Sequence, residues 1–301
     1  MKPPVFIAGP TAAGKSGIAL RVAEKIGGEI ISVDSMQVYR GLDIGTAKPS
    51  PAERSRVPHH LIDVCDLREA FDAAQFVRRA QTAEAEIRSR GNVPVFCGGT
   101  GLYFKAFLEG LGEAPPGDAR LRAQLESLPL ETLLAELRAG DPVAFEKIDR
   151  RNPRRVVRAV EVLRLTGRAF SGQKADWRSL APGSPSGNFF VLTRAVDDLR
   201  HRINRRVENM FESGLLEETR QLLQHGLAEN KFAMQAIGYR QVVEHLRGDY
   251  SLAEAVEQVK VRTRQFAKRQ MTWFRAQPGV VWMELKPEAD PAAIAATIAR
   301  S

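Results

Sequence analysis

Cysteine is nearly absent from this sequence: Cys65 and Cys97 are the only two. They could pair only with each other, so a disulfide-rich secreted framework is excluded, and two buried thiols in a cytosolic chain are the simpler account. The same scarcity rules out a cysteine-based zinc finger. Histidine is sparse as well, with five residues. His59 and His60 adjoin, but no third ligand follows at metal-site spacing, so solvated or structural histidines are expected. No apolar run approaches the roughly 20 residues that span a bilayer, and no membrane is expected as a partner. The chain enters a strand almost at once, leaving no room for a signal peptide; a cytoplasmic location is expected. Internal repeats and low-complexity tracts are missing too. What is there is an ordinary globular composition, 44% hydrophobic and 27% charged over 301 residues, long enough for one large domain or two modest ones. The net charge of +8 fits a polyanionic partner as well as a merely solvated surface, and charge alone does not choose between them.

The apolar run Val5-Phe6-Ile7-Ala8 leads into Gly9-Pro10-Thr11-Ala12-Ala13-Gly14-Lys15-Ser16. This is G-x-x-x-x-G-K-[ST], a phosphate-cradling loop, set between a short buried strand and a helical pattern at Ile18, Ala19, Val22 and Ile26. Gly9 and Gly14 permit close approaches that a Cβ would block. The amides of residues 12 to 16, with the positive end of the following helix, can meet phosphate oxygens. Lys15 supplies a point charge and the Ser16 hydroxyl a candidate Mg2+ ligand. A diphosphate or triphosphate is the expected ligand.

The second strand, Glu29 to Val33, ends in Asp34-Ser35. Ligands in open α/β sheets sit beyond the carboxyl ends of strands, so Asp34 lies where chemistry could occur; a turn or helix-cap role is equally open. Residues 35–50 are irregular, punctuated by Gly41, Gly45 and Pro49, and such a long segment is more often functional than idle. His59 to Val64 reads as a third strand, Ala73 to Arg90 as an amphipathic helix, and Val93 to Cys97 as a fourth strand. A second glycine-rich loop follows, Gly98-Gly99-Thr100-Gly101, a weak signal alone and a better one beside a phosphate loop.

From residue 112 the β/α alternation stops. Residues 112–117 read as a linker, then helical patterns follow at 118–128, 131–139 and 153–166. The last carries Arg151, Arg154, Arg155 and Arg158 on one side and Val156, Val160 and Leu163 on another. Such a stripe, with no interleaved acid, suits phosphate backbone more than a solvated face. Residues 171–188 are rich in Ser, Gly and Pro. A strand at 189–193 resumes the α/β pattern, followed by helices at 197–213, 215–225 and 251–275 and a short strand at 280–282. The expected fold is therefore a parallel α/β sheet of P-loop NTPase type flanked by helices, 1–111 and 188–301, with an all-helical insertion at 112–187. The 251–275 helix ends in a basic run mixed with Phe266, Trp273 and Phe274, which suits RNA, although Phe266 and Trp273 are also good core residues.

Several stretches together resemble one family, the tRNA dimethylallyltransferases (tRNA isopentenyltransferases): GPTAAGKS (9–16), SVDSMQVYRGLDIGTAKP (32–49), PHHLIDV (58–64), GGTGLYFKAFLEGL (98–111), RRVVRAVEV (154–162), AIGYRQ (236–241) and RQFAKRQMTWFR (264–275). They span almost the whole chain in the family's order. The resemblance implies transfer of a dimethylallyl group from dimethylallyl diphosphate to N6 of the adenosine just 3′ of the tRNA anticodon. Residues 9–16 would hold the diphosphate with Mg2+ at Ser16, Asp34 would act as base, and Thr100 would lie near donor and target base. Asp34, Ser35, Met36, Gln37, Thr100, Arg122 and the run Arg154-Arg155-Val156-Val157-Arg158 would touch the anticodon stem-loop, and Arg220 the pyrophosphate. The zinc finger of eukaryotic members is missing, which implies the bacterial form, and an asymmetric grip on one tRNA fits a monomer. A P-loop nucleotide or small-molecule kinase would explain residues 9–16 but not GLDIGTAKP or the basic insertion. An adenylate isopentenyltransferase would have no use for 112–187. A P-loop RNA-binding switch would need a Walker-B acid, for which Asp63 or Asp34 would have to serve.

Overall fold

A computed structural model gives the fold and describes residues 2–173 and 187–301. The chain divides into two compact units, residues 1–105 with 183–301, and residues 106–182.

The larger unit contains β1 (Val5–Ala8), α1 (Lys15–Ile26), β2 (Gly28–Val33), α2 (Pro51–Arg56), β3 (His59–His60), α3 (Ala73–Ser89), β4 (Val93–Gly98) and the start of α4 (Gly101–Glu109). The smaller unit's α5 (Ala119–Glu126), α6 (Leu130–Gly140), α7 (Pro142–Lys147) and α8 (Pro153–Thr166) come next. The chain then returns to the larger unit with β5 (Phe189–Thr193), α9 (Val196–Glu212), α10 (Leu215–Gln224), α11 (Tyr239–Leu246), α12 (Leu252–Arg275), β6 (Val281–Glu284) and α13 (Pro291–Arg300).

The strands form one sheet in the order β3-β2-β4-β1-β5-β6, and every pairing is parallel. A parallel sheet is covered on both faces, which is why its central strands are apolar without alternation. On one face Ile7, Ile30, Val95 and Leu192 pack with Ile18 and Val22 of α1 and Ile298 of α13. On the other, Phe6 stacks on Phe96 at 4.8 Å between ring centres, with Phe189, Phe104 and Phe274 around them. The register positions the chemistry. Ala8 lies opposite Gly98, and Gly98 opposite Val33. The next residues along, Gly9, Gly99 and Asp34, therefore leave three adjacent strands at the same level.

The expected strand at 59–64 stops after His60. Leu61 and Asp63 have φ of 63° and 56°, left-handed values that end an extended run. The Asp63 carboxylate is held by Lys48 at 2.5 Å and Arg54 at 2.7 Å, so Asp63 is a structural anion and no Walker-B acid. The histidines are tied down locally, His59 Nδ1 to the Val57 carbonyl and His60 Nε2 to Glu29, both at 2.7 Å. Five helices, α2, α4, α7, α11 and α13, go beyond the sequence expectation; α2 and α7 are six residues each, too short to show a period.

The smaller unit has its own core of Leu125, Leu133, Leu137, Val156 and Val160. Asn152 caps α8, Pro153 opens it and Gly167 closes it in the left-handed conformation, three signals that agree on one helix. This unit starts at Ala106, inside α4, rather than at Gly112. The Ser/Gly/Pro-rich stretch 171–188 lies mostly outside the described residues. No helix among the described residues is long and apolar enough to cross a membrane.

Candidate active site

The phosphate loop follows β1 with Gly9 at φ 143°, where an added Cβ would stand 2.3 Å from the Leu192 carbonyl oxygen. No other residue fits there. The loop's carbonyls are held from outside. Lys15 Nζ donates to Pro10 O at 2.7 Å, Arg202 Nε to Ala12 O at 2.9 Å and Arg194 Nε to Ala13 O at 3.0 Å. The Thr11 amide donates to Gln270 Oε1 at 2.8 Å. Gly14, at φ 99°, opens α1 without any side-chain cap, so the first turn keeps free amides for an anion. The exposed Ser16 hydroxyl stands in that turn. Burial pulls the Lys15 ammonium down from the usual lysine value to about 8, with Arg206 adding to the drop and Asp34 opposing it. The residue keeps some exposure although its ammonium is enclosed.

Asp34 takes the turn role that its position left open, while lining the cavity described below. Its Oδ1 accepts from the amides of Met36 at 2.8 Å and Gln37 at 3.3 Å, a side-chain turn that orients the carboxylate. Oδ2 has no hydrogen-bond partner among the described residues. Thr100, at the end of β4, receives the Ser35 amide on its Oγ1 at 3.2 Å and donates its own amide to Val33 O. The two loops are thereby stitched side by side, as the strand register requires.

Both loops, with Thr11, Lys15 and Ser16, line a cavity of about 360 Å³. Its remaining wall is apolar where Val207, Met210, Ile237, Val259 and Phe266 meet, and polar at Arg206, Arg269 and Gln270. The irregular segment after β2 forms another part, Gly45 to Ala47, and the motif GLDIGTAKP is what fixes it. Lys48, with a side chain 2% exposed, donates to Tyr39 O, Asp43 and Asp63. Glu218 accepts from the Ile44 amide, and the Tyr239 hydroxyl donates to Glu218 while accepting from the Gly45 amide. Burial holds Glu218 above the usual carboxylate range.

Some residues expected at the site are placed elsewhere or are committed to other contacts. Arg220 is exposed on α10, pairs with Glu217 at 3.3 Å and does not line the cavity. The cavity's arginines are Arg206 on α9 and Arg269 on α12, with Arg194 and Arg202 behind the phosphate loop. Arg194, Arg202 and Arg206 were missed because an arginine stripe at 202 and 206 looks the same in sequence whether it faces solvent or a loop. Burial pulls the Arg206 guanidinium down from its ordinary value, with the Asp34 charge opposing. Gln37 lines the cavity, yet its Oε1 accepts from Ser32 and its Nε2 donates to Thr46 O. Val156 and Val157 are buried, 0% and 5% exposed, in the core of the smaller unit, so their side chains cannot meet a ligand. Nor is the arginine stripe free of acid: Glu161, fully buried, binds Arg122 at 2.8 Å and Arg158 at 2.6 Å. Arg154 and Arg155 remain on the exposed side of α8.

The family model described as IPP transferase matches residues 37–277. The chain belongs to the IPP transferase family. It is 46% identical to the tRNA dimethylallyltransferase of Geobacter metallireducens, with 95% of this chain and 94% of that protein covered. The crystal structure of the full-length tRNA isopentenylpyrophosphate transferase from Bacillus halodurans superposes with a TM-score of 0.71 at 38% identity, covering 100% of this chain and 96% of that one. A eukaryotic dimethylallyltransferase captured acting on tRNA gives 0.76 at 29% identity, covering 94% and 74%. As an IPP transferase the chain is a P-loop-type α/β enzyme, the fold the sequence pattern led to.

Proposed function

We propose that this protein transfers the dimethylallyl group of dimethylallyl diphosphate to N6 of the adenosine just 3′ of a tRNA anticodon, as a monomeric cytoplasmic enzyme. The observation that carries the proposal is the common cavity shared by the phosphate loop and the Asp34–Thr100 pair, in a chain whose relatives carry this name. The diphosphate takes the open first turn of α1, Lys15 and Arg206, and the dimethylallyl tail lies on the apolar wall. The N6 electron pair forms a bond to the allylic carbon while that carbon's bond to oxygen breaks, and the electron pair leaves with pyrophosphate. Asp34 Oδ2 takes the N6 proton, and Oδ1 keeps the carboxylate aimed through its two amide bonds. Thr100 orients the acceptor.

Among the described residues no cluster of three or more His, Cys, Asp and Glu side chains could hold a metal. Magnesium nevertheless fits, because it is commonly held by few protein oxygens plus substrate phosphates, and the exposed Ser16 hydroxyl offers one such oxygen. When bound it would neutralise charge on the departing pyrophosphate. The target base must leave its stack to enter a cavity of this size. On the smaller unit, Arg154 and Arg155 would meet stem-loop phosphates directly, and Arg122 and Arg158 as guanidiniums oriented by Glu161.

The test is incubation of the protein with dimethylallyl diphosphate, Mg2+ and unmodified tRNA, followed by nucleoside mass spectrometry. Parallel reactions offer AMP as acceptor, or ATP in place of the donor. Isopentenyladenosine in tRNA alone supports the proposal. Product only with AMP, or ATP turnover without prenylation, overturns it.

A further inference from the structure

The basic run that ends α12 holds a glutamine whose place the reaction above does not explain. Gln270 is 7% exposed and uses both ends of its amide across the sheet's edge. Its Oε1 accepts from the Thr11 amide of the phosphate loop at 2.8 Å, and its Nε2 donates to Gly99 O of the loop after β4 at 2.9 Å. Among the described residues no backbone hydrogen bond joins these two loops beyond the strands, so a single side chain from a distant helix ties them. The fit is close. A Cβ on Gly99 would fall 2.2 Å from Gln270 Nε2, and one on Gly101 would fall 2.2 Å from the Trp273 ring. Gln270 and Trp273 are one helical turn apart, so α12 presses on both glycines flanking Thr100.

We propose that Gln270 is a positioning residue that sets the distance between the donor's diphosphate and the acceptor side of the cavity, Thr100 and, through the Ser35 amide, Asp34. The inference rests on the reading of the site given under Proposed function and extends it to a residue that touches neither reacting atom. Its logic is geometric. Phosphate loop and acceptor loop belong to separate strands, and a displacement of about 1 Å between reacting groups costs on the order of a hundredfold in rate. A buried amide that satisfies one donor and one acceptor holds that spacing better than a water would, because both of its bonds fail together if either loop moves. Lys268 and Arg269 are exposed on the same helix beside it, and Arg269 also lines the cavity. A polyanion resting on them bears on the helix that carries the strap.

Gln270→Glu keeps the size and an acceptor for Thr11 but sets a second oxygen against Gly99 O. Gln270→Met keeps the volume and neither bond. Both are assayed beside the wild type by single-turnover transfer at saturating donor and tRNA, with pyrophosphate and tRNA dissociation constants and melting temperature measured on the same samples. The expected result is a fall of about a hundredfold in the transfer rate with both dissociation constants within about threefold of wild type. The pH profile separates positioning from a packing defect. As pH falls, the carboxyl introduced by Q270E gains a proton and with it a donor for Gly99 O, so the ratio of variant to wild-type rate rises. A pH-independent ratio, or rates within threefold of wild type in both variants, overturns the proposal. If Q270E fails to fold, Q270M decides by its rate and dissociation constants. A wild type that transfers nothing refutes the parent reading instead.

Discussion

At the scale of single residues the site depends on two charges whose surroundings differ. Asp34 has one oxygen fixed by two amides and one left over, an arrangement that would aim the base proposed above. Asp34→Ala is expected to lower the single-turnover rate by about 10²- to 10⁴-fold while tRNA affinity changes little, because a base acts only in the transition state. Filter binding with stopped-time transfer assays checks this, and an unchanged rate removes Asp34 from the reaction. Lys15 is the opposite case, a cation that burial has brought down to about 8. Below that pH it is already charged and pyrophosphate binding exchanges no proton with it. Above it the amine is neutral in the free protein and must take up a proton to meet the anion. Calorimetry in buffers of different ionisation enthalpy should show proton uptake above pH 8, with affinity falling by up to about tenfold per pH unit. Lys15→Met should lack that component, and identical pH profiles in the two proteins would refute it.

Among elements, the helices differ in how much of their charge is available. α8 looks like a uniform arginine stripe in sequence, yet Arg158 is tied to buried Glu161 and to Pro115 O at 2.6 Å, leaving Arg154 and Arg155 on the exposed side. Replacing both by Gln should weaken tRNA binding at low salt and reduce the slope of log K against log salt by about one per lost phosphate contact. Measured binding between low and moderate salt with no change in slope would make the stripe a solvated face. On α12 both readings that the sequence left open are found. Phe274 lies in the core and Trp273 against Gly101, while Phe266, Arg269 and Gln270 line the cavity.

Each of the two compact units has a core of its own, one around the sheet and one around α5, α6 and α8. Glu161 belongs wholly to the second, where it also accepts the Asp118 amide at 2.9 Å. Glu161→Gln leaves two guanidiniums and an amide with a poorer partner, and should cost the smaller unit about 1–3 kcal/mol. Calorimetry should show one transition lowered and the other in place, since the two units have different cores. A single transition that shifts as a whole would mean that the units unfold as one.

The sequence by itself determined the parts whose signals are local. The phosphate loop shows in GPTAAGKS because its backbone demands glycine at fixed places, and α8 shows because cap, proline and closing glycine fall at its ends. The parallel sheet shows in apolar runs of the right length, and the family shows in motifs spread along the chain. The tertiary structure alone decided which side chains complete the cavity. That Arg206 rather than Arg220 faces the phosphate loop depends on how α9 is turned, and an arginine stripe carries no mark of what it faces. That Gln270 bonds residues 11 and 99 is a contact across most of the chain's length, invisible to any window. That Val156 and Val157 are core, and that Glu161 takes up two of the arginines, follows from packing around α8, where burial depends on the neighbours that a sequence does not display.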